Sequence, residues 1–185
     1  MLKAICFLAA ISAVFAQTKL QWSLCGTSVL QIDNLDVGSM PITHPGQMPF
    51  ILSGKSIRDI RGAVRSDIQI KRTVNGITLP ITCYLVNGNQ VGSCVYPDLC
   101  LLLKSVLGYE QSNCPQNLID NDIDCTCPFK IPKRSLDIST VADLPDASTT
   151  PIQWIGSGAF DVTIKANDAV GTISCLNLKF SVKPK

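Results

Sequence analysis

Apolar and polar residues alternate with a period of two through most of this chain. The pattern is clearest where Val64, Ser66, Ile68 and Ile70 interleave with Arg65, Asp67, Gln69 and Lys71. A period of two places successive side chains on opposite faces of a strand, one apolar and one wet. Ile77, Leu79, Ile81 and Cys83 continue the period after Asn75-Gly76, a dipeptide suited to the positive φ angles of a tight hairpin. The same period runs through Met48, Phe50 and Leu52, with a turn expected at Gly54. It returns in Leu136 to Leu144, in Phe160, Val162, Ile164 and Ala166, and in Leu176, Leu178, Phe180 and Val182. Between Val29 and Val37 the parity shifts from Leu30 and Ile32 to Leu35 and Val37, which predicts a bulged or bent strand. Asn87-Gly88 and Asn167-Asp168 mark further turns, and the proline- and glycine-rich residues 36–49 read as turns and edge-like extended chain. One short helix is expected from Leu99 to Leu107, opened by Pro97-Asp98, carrying the stripe Leu102, Leu103, Val106 and Leu107, and ended by Gly108. Residues 113–127 read as loop. Many short strands divided by turn signals define an all-β antiparallel sandwich, cup or barrel.

Composition sharpens this picture. The chain has 185 residues, the length of one domain. Residues 1–16 hold one Lys and then an apolar run from Ala4 to Phe15 broken only by Ser12. The run ends with Val14 and Ala16 at the small-residue positions of a cleavage site, as in a secretory signal peptide. It is shorter than the roughly 20 residues that cross a bilayer. The expected organisation is a signal peptide over 1–16 and a single domain over 17–185. Loss of Lys3 would lower the net charge from +2 to +1, and with no basic block nucleic acid is not an expected partner. Loss of Cys6 would leave eight of the nine cysteines, an even number that in a secreted chain implies a disulfide framework. Spacing does not choose among the 105 pairings that eight cysteines allow.

His44 is the only histidine, which excludes sites needing two and leaves Ser–His or Cys–His nucleophiles little to work with. It reads as a solvated turn residue, as do Arg58, Asp59 and Arg61. Hydrophobic residues make up 46% of the chain, more than one wet-faced sheet requires, so a second apolar surface has to be accommodated. Trp154 stands out. With Ile152 and Ile155 it forms a small apolar tip between Pro151 and Gly156, and an indole offers an apolar body with a polar N–H that suits a membrane interface.

Six cysteines crowd into residues 83–127. Within that block GSCVYPDLC (92–100), NCP (113–115) and CTCPF (125–129) resemble the ML lipid-recognition family, in the group of the ganglioside GM2 activators. QWSLC, PITHPG (41–46) and the terminal ISC (173–175) extend the resemblance over about residues 20–183. The resemblance implies an antiparallel, immunoglobulin-like β-cup around a large apolar cavity. It also implies four disulfides: Cys25–Cys175, Cys83–Cys94, Cys100–Cys127 and Cys114–Cys125. A Trp in the loop of Trp154 would sit near the cavity mouth. The expected lipid-binding residues are then Trp154, Ile152, Ile155, Phe160, Leu102, Leu103, Val106, Leu107 and Ile77.

The activity implied is non-enzymatic: a (glyco)lipid is drawn from a membrane into the cup and presented or transferred. No cofactor or metal is implied. The partners are a lipid or glycolipid, a transient membrane surface and a glycolipid hydrolase, with the protein a monomer or weak dimer. The alternative is a secreted lipid-recognition module that docks on a receptor instead of transferring lipid. Two departures stand out. The hairpin at Asn75-Gly76 lacks the aromatic residue the family carries there. The chain also has no Asn-x-Ser/Thr sequon, so glycan-dependent delivery to lysosomes has no handle. The expected location is extracellular, with the lysosomal lumen as the alternative.

Overall fold

The structure is a computed structural model that describes residues 17–102, 116–124, 127–149 and 153–185. Twelve strands are seen among these residues: β1 (Gln21–Leu24), β2 (Leu30–Asp36), β3 (Ile42–His44), β4 (Gly46–Ser56), β5 (Arg65–Val74), β6 (Ile77–Ile81), β7 (Tyr84–Val86), β8 (Asn89–Val91), β9 (Val95–Tyr96), β10 (Ser135–Leu144), β11 (Gly158–Asn167) and β12 (Thr172–Pro184). They form a large sheet with the order β1-β12-β11-β5-β6, a three-stranded sheet β10-β4-β2, and the separate hairpin β7-β8. Pairing is antiparallel except where β3 runs parallel to the end of β12. The all-β antiparallel architecture read from the alternation is therefore what the chain adopts.

The local expectations succeed where a turn residue dictates geometry. Asn75 and Gly76 take φ of 51° and 78°, and Asn87 and Gly88 take 51° and 80°, the left-handed values a two-residue hairpin requires. The parity shift in β2 is a bulge: its register against β4 slips between Ile32 and Asn34. Gly54 is a correction. No turn forms there; β4 runs through it to Ser56. A Cβ on Gly54 would lie 2.2 Å from the carbonyl oxygen of Gln31, so the glycine is present because the bulged β2 backbone crosses tightly over it. Pro49, placed in an edge-like segment, is inside β4. That half of the strand extends beyond the end of β2 and pairs only with β10, where a residue lacking N–H is tolerated.

The helix opened by Pro97-Asp98 begins as expected: residues 99–102 are helical and Asp98 Oδ1 accepts from the Cys100 N–H at 2.9 Å, an N-cap. The remainder of that helix lies outside the described residues. A second helix, Gln116–Asp120, corrects the expectation of a loop and of a single helix. It is held against the open edge of β10 by side-chain amides. Asn121 Nδ2 donates to Asp137 O at 3.0 Å and Asn121 Oδ1 accepts from Asp137 N at 3.0 Å, while Asn117 donates to Ser139 O. The two asparagines satisfy an edge strand that would otherwise be unpaired.

The core lies at one end. Ile60, Val64 and Ile173 form one buried cluster, joined by Val29, Leu30 and Leu99. Ile123, Leu136 and Ile138 form a second, joined by Leu30, Phe50 and Leu118. Cys25–Cys175 closes this end. Val29 donates to Ile173 O at 2.8 Å and Ile57 donates to Val29 O at 3.0 Å, which ties the two sheets together. Cys83–Cys94 and Cys100–Cys127 are the other bridges among the described residues, and all three match the pairing the resemblance implied. The expected Cys114–Cys125 bridge, like residues 1–16, lies outside the described residues.

Candidate functional site

Strand register decides which side chains share a face, because directly opposed residues point the same way. In the large sheet Leu178, Val162 and Ile70 are opposed in one row, and Leu176, Ile164 and Ile68 in the next. Phe180, Phe160, Arg72 and Leu79 make a third row. This face is apolar apart from Arg72 and the buried serines Ser66 and Ser174, which oppose Ala166. The other face carries Asp161, Thr163, Lys165, Lys179, Lys71 and Gln69. In the small sheet Phe50, Leu52, Leu136, Ile138, Thr140 and Ala142 share the inward face.

Both apolar faces are buried only in part. Leu136 and Ile138 are closed off near the core end. Ile68, Ile70, Leu176, Leu178, Phe180, Phe50 and Ile81, all inward, keep contact with solvent, and Ile77 and Leu79 are 65% and 61% exposed. A compact sandwich would bury these rows completely. Their partial exposure describes a cup, closed at the Cys25–Cys175 end and open towards the β5-β6 hairpin.

At the open end Phe160 is 3% exposed, stacked on Phe180 with centroids 5.3 Å apart and set 6.1 Å from Trp154. Trp154 stands on a 3-10 turn, Gln153–Gly156, and is half-buried. Its indole N–H donates to the hydroxyl of Tyr84 on β7. The β7-β8 hairpin, anchored by Cys83–Cys94, thus reaches the Trp154 loop through one side-chain bond. Trp154 turns its body towards the aromatic group inside the cup and its N–H towards Tyr84.

His44 corrects the sequence reading. It is 6% exposed, not solvated. Its Nδ1 accepts from the Ala147 N–H at 3.1 Å, so Nε2 carries the proton and donates to Gly156 O at 2.7 Å. A Cβ on Gly156 would stand 3.1 Å from Nε2, which explains the glycine. His44 therefore pins the Trp154 loop and the turn Ala147–Thr149 to the end of β3. Arg58 is a second correction: it makes paired hydrogen bonds of 2.6 and 2.8 Å to Asp168, whose side chain is only 1% exposed. The Asp168 carboxyl is held below its usual range by the Arg58 guanidinium first, and by the N–H groups of Val170 and Gly171. Arg61 and Asp59 form the exposed local pair expected of them.

Of the residues expected to bind lipid, the structure brings together Trp154 and Phe160. Ile155 is half-buried on the same turn, and Ile77 is exposed on the hairpin, on the inward face of its sheet. Leu102 is not with them. It lines a surface groove with Tyr96, Asp98 and Asn89, beyond the segment where Leu99 joins the closed-end core. Ile152, Leu103, Val106 and Leu107 lie outside the described residues. Sequence reasoning missed Tyr84, whose only signal was its place beside Cys83, and Arg72, which interrupts the apolar phase of β5.

The fold and this end of it define an antiparallel β-cup whose apolar inward faces stay partly exposed. The ganglioside GM2 activator of Mus musculus is similar to this chain at 27% identity over 166 residues, covering 88% of this chain and 81% of the activator. That of Macaca fascicularis is 22% identical over 169 residues, covering 88% and 82%. A Niemann-Pick type C2 protein from the Japanese carpenter ant matches in structure with a TM-score of 0.40 at 9% identity, covering 88% of this chain and 99% of that one. No protein-family model matches. The resemblance read from the cysteine block is thus to ganglioside GM2 activators and extends over most of the chain.

Proposed function

We propose that this chain is a non-enzymatic lipid-binding protein that takes the tails of a lipid or glycolipid into its cup and carries it from a membrane to an acceptor, a glycolipid hydrolase or a second membrane. The observation that carries this reading is the pair of apolar inward faces that the protein itself leaves half-exposed. A tail in water costs about 0.8 kcal/mol per CH₂, so a 16-carbon chain needs on the order of 10 kcal/mol to leave a bilayer unaided. Rows of Leu, Ile, Val and Phe offset that cost with no catalytic group. The resemblance to proteins named as activators supports the same reading.

The disulfides support residence in an oxidising compartment, outside the cell or in the lysosomal lumen, reached through residues 1–16 as a leader. Trp154, Phe160, Ile155 and Ile77 are the candidate contacts at the open end. Incubation with phospholipid and glycolipid vesicles, separation and native mass spectrometry should find about one lipid per protein. Trp154→Ala should slow vesicle-to-vesicle transfer several-fold. Recovery of lipid-free protein and no transfer would overturn the reading.

A further inference from the structure

Arg72 is the one Asp, Glu, Lys or Arg found at a register-paired, inward-facing position of the two main sheets among the described residues. It stands opposite Phe160 on β11 and Leu79 on β6, in the row that ends in Phe180. Its stem crosses Gly158, where φ is +121° and where a Cβ would lie 3.2 Å from Arg72 Nε and 3.3 Å from Cγ. That glycine gives the side chain its path along the open end. Arg72 Nε donates to Ser157 O at 2.8 Å and Nη2 donates to Ser157 Oγ at 3.1 Å. Two of the five guanidinium N–H donors are used, and three remain.

Other cations near carboxylates are paired: Arg58 with Asp168, Arg61 with Asp59, Lys130 with Asp124, Arg134 with Asp122 and Lys179 with Asp161. Arg72 has no carboxylate partner among the described residues. A guanidinium beside an apolar interior is tolerable while water reaches it. Once tails and a headgroup displace that water, the remaining donors require an acceptor, and an anion is the strongest one. Its planar fork matches the paired oxygens of a phosphate, sulfate or carboxylate.

We propose that Arg72 is a specificity-determining residue that selects lipids with an anionic headgroup, its three free N–H donors binding the headgroup oxygens at the open end of the cup. This rests on the lipid-cup reading above. The test offers the protein vesicles containing equal amounts of galactosylceramide and its 3-sulfate, two lipids that differ only in the anionic group. Retained lipid is then read by native mass spectrometry. The ratio is the measurement, because removing Arg72 also removes its bonds to Ser157.

Wild-type protein should retain the sulfated lipid about tenfold over the neutral one, the scale of a hydrogen bond to a charged group. The ratio should fall to about one in Arg72→Gln and be partly kept in Arg72→Lys. Equal retention by wild type, or a preference that survives Arg72→Gln, overturns the role of Arg72 and leaves the cup intact. Retention of neither lipid by wild type overturns the cup reading itself. A repeat with phosphatidylglycerol against phosphatidylcholine of the same tails separates the two sources of charge. Preference in both pairs supports recognition of any anionic headgroup, and preference in the sulfated pair alone overturns that breadth.

Discussion

His44, Arg58 and Gly54 each carry more of the structure than their places in the sequence announced. Read along the chain, His44 lies between Thr43 and Pro45 and resembles a turn residue. In space it is the buried link between β3, the Ala147 turn and the Trp154 loop. Nothing local encodes that, because its partners lie 103 and 112 residues away. Arg58 is legible as a charge but not as one whose partner, Asp168, is closed off from water.

That pair has a pH signature. The native Asp168 carboxyl titrates below its unfolded value of about 3.9. Its stabilising contribution is therefore present above that value and is lost as pH falls through the depressed native one. Denaturant midpoints should fall between pH 5 and pH 2 in the wild type. In Arg58→Ala the midpoint should already be lower at pH 7 and should fall less steeply with acid; an unchanged slope would remove Asp168 as a source of acid sensitivity. Gly54→Ala must push a methyl group against the Gln31 carbonyl, which costs about 3 kcal/mol. A drop in melting temperature on the order of 10 °C is expected, and a stable Gly54→Ala protein would mean β2 can move away.

At the scale of elements, the strands and hairpins were legible because each rests on a local cause. Alternation fixes the faces, and Asn-Gly fixes the turns. The helix Gln116–Asp120 was not legible. Five residues show no apolar period, and what holds it is the fit of Asn117 and Asn121 to the edge of β10. Nor did alternation reveal that β4 passes straight through Gly54, since glycine signals a turn and a close crossing alike. Asn121→Ala leaves the backbone N–H and carbonyl of Asp137 without their partners and should cost about 1–3 kcal/mol. It should also speed hydrogen exchange at Asp137, while the opposite edge of that sheet, β2, is unaffected. Equal protection in the variant would show that the helix does not guard the edge.

On the scale of the whole molecule, the cysteine block carried the resemblance to ganglioside GM2 activators, and the bridges at Cys25–Cys175, Cys83–Cys94 and Cys100–Cys127 hold its closed end and flank. The candidate site was legible in part. Trp154 and Phe160 do meet at the open end. Arg72, Tyr84 and the separation of Leu102 from that end depend on register and on how one hairpin folds over, which spacing along the chain does not carry. The balance between closed core and open cup follows from where the two sheets are tied. The tie runs through Val29, Ile57 and Ile173, and beyond it inward residues such as Ile70, Leu178 and Phe180 stay half-buried.

The central claim is that lipid tails occupy the space between these rows. It is tested most directly by photocrosslinking with a lipid that carries a diazirine midway along its tail, followed by peptide mapping. Crosslinks should fall on Phe160, Leu178, Phe180, Ile70 and Phe50, inward on the two sheets, and be displaced by excess unlabelled lipid. Crosslinks confined to the outward residues Thr163, Lys165 and Val141, or none that unlabelled lipid displaces, would contradict it.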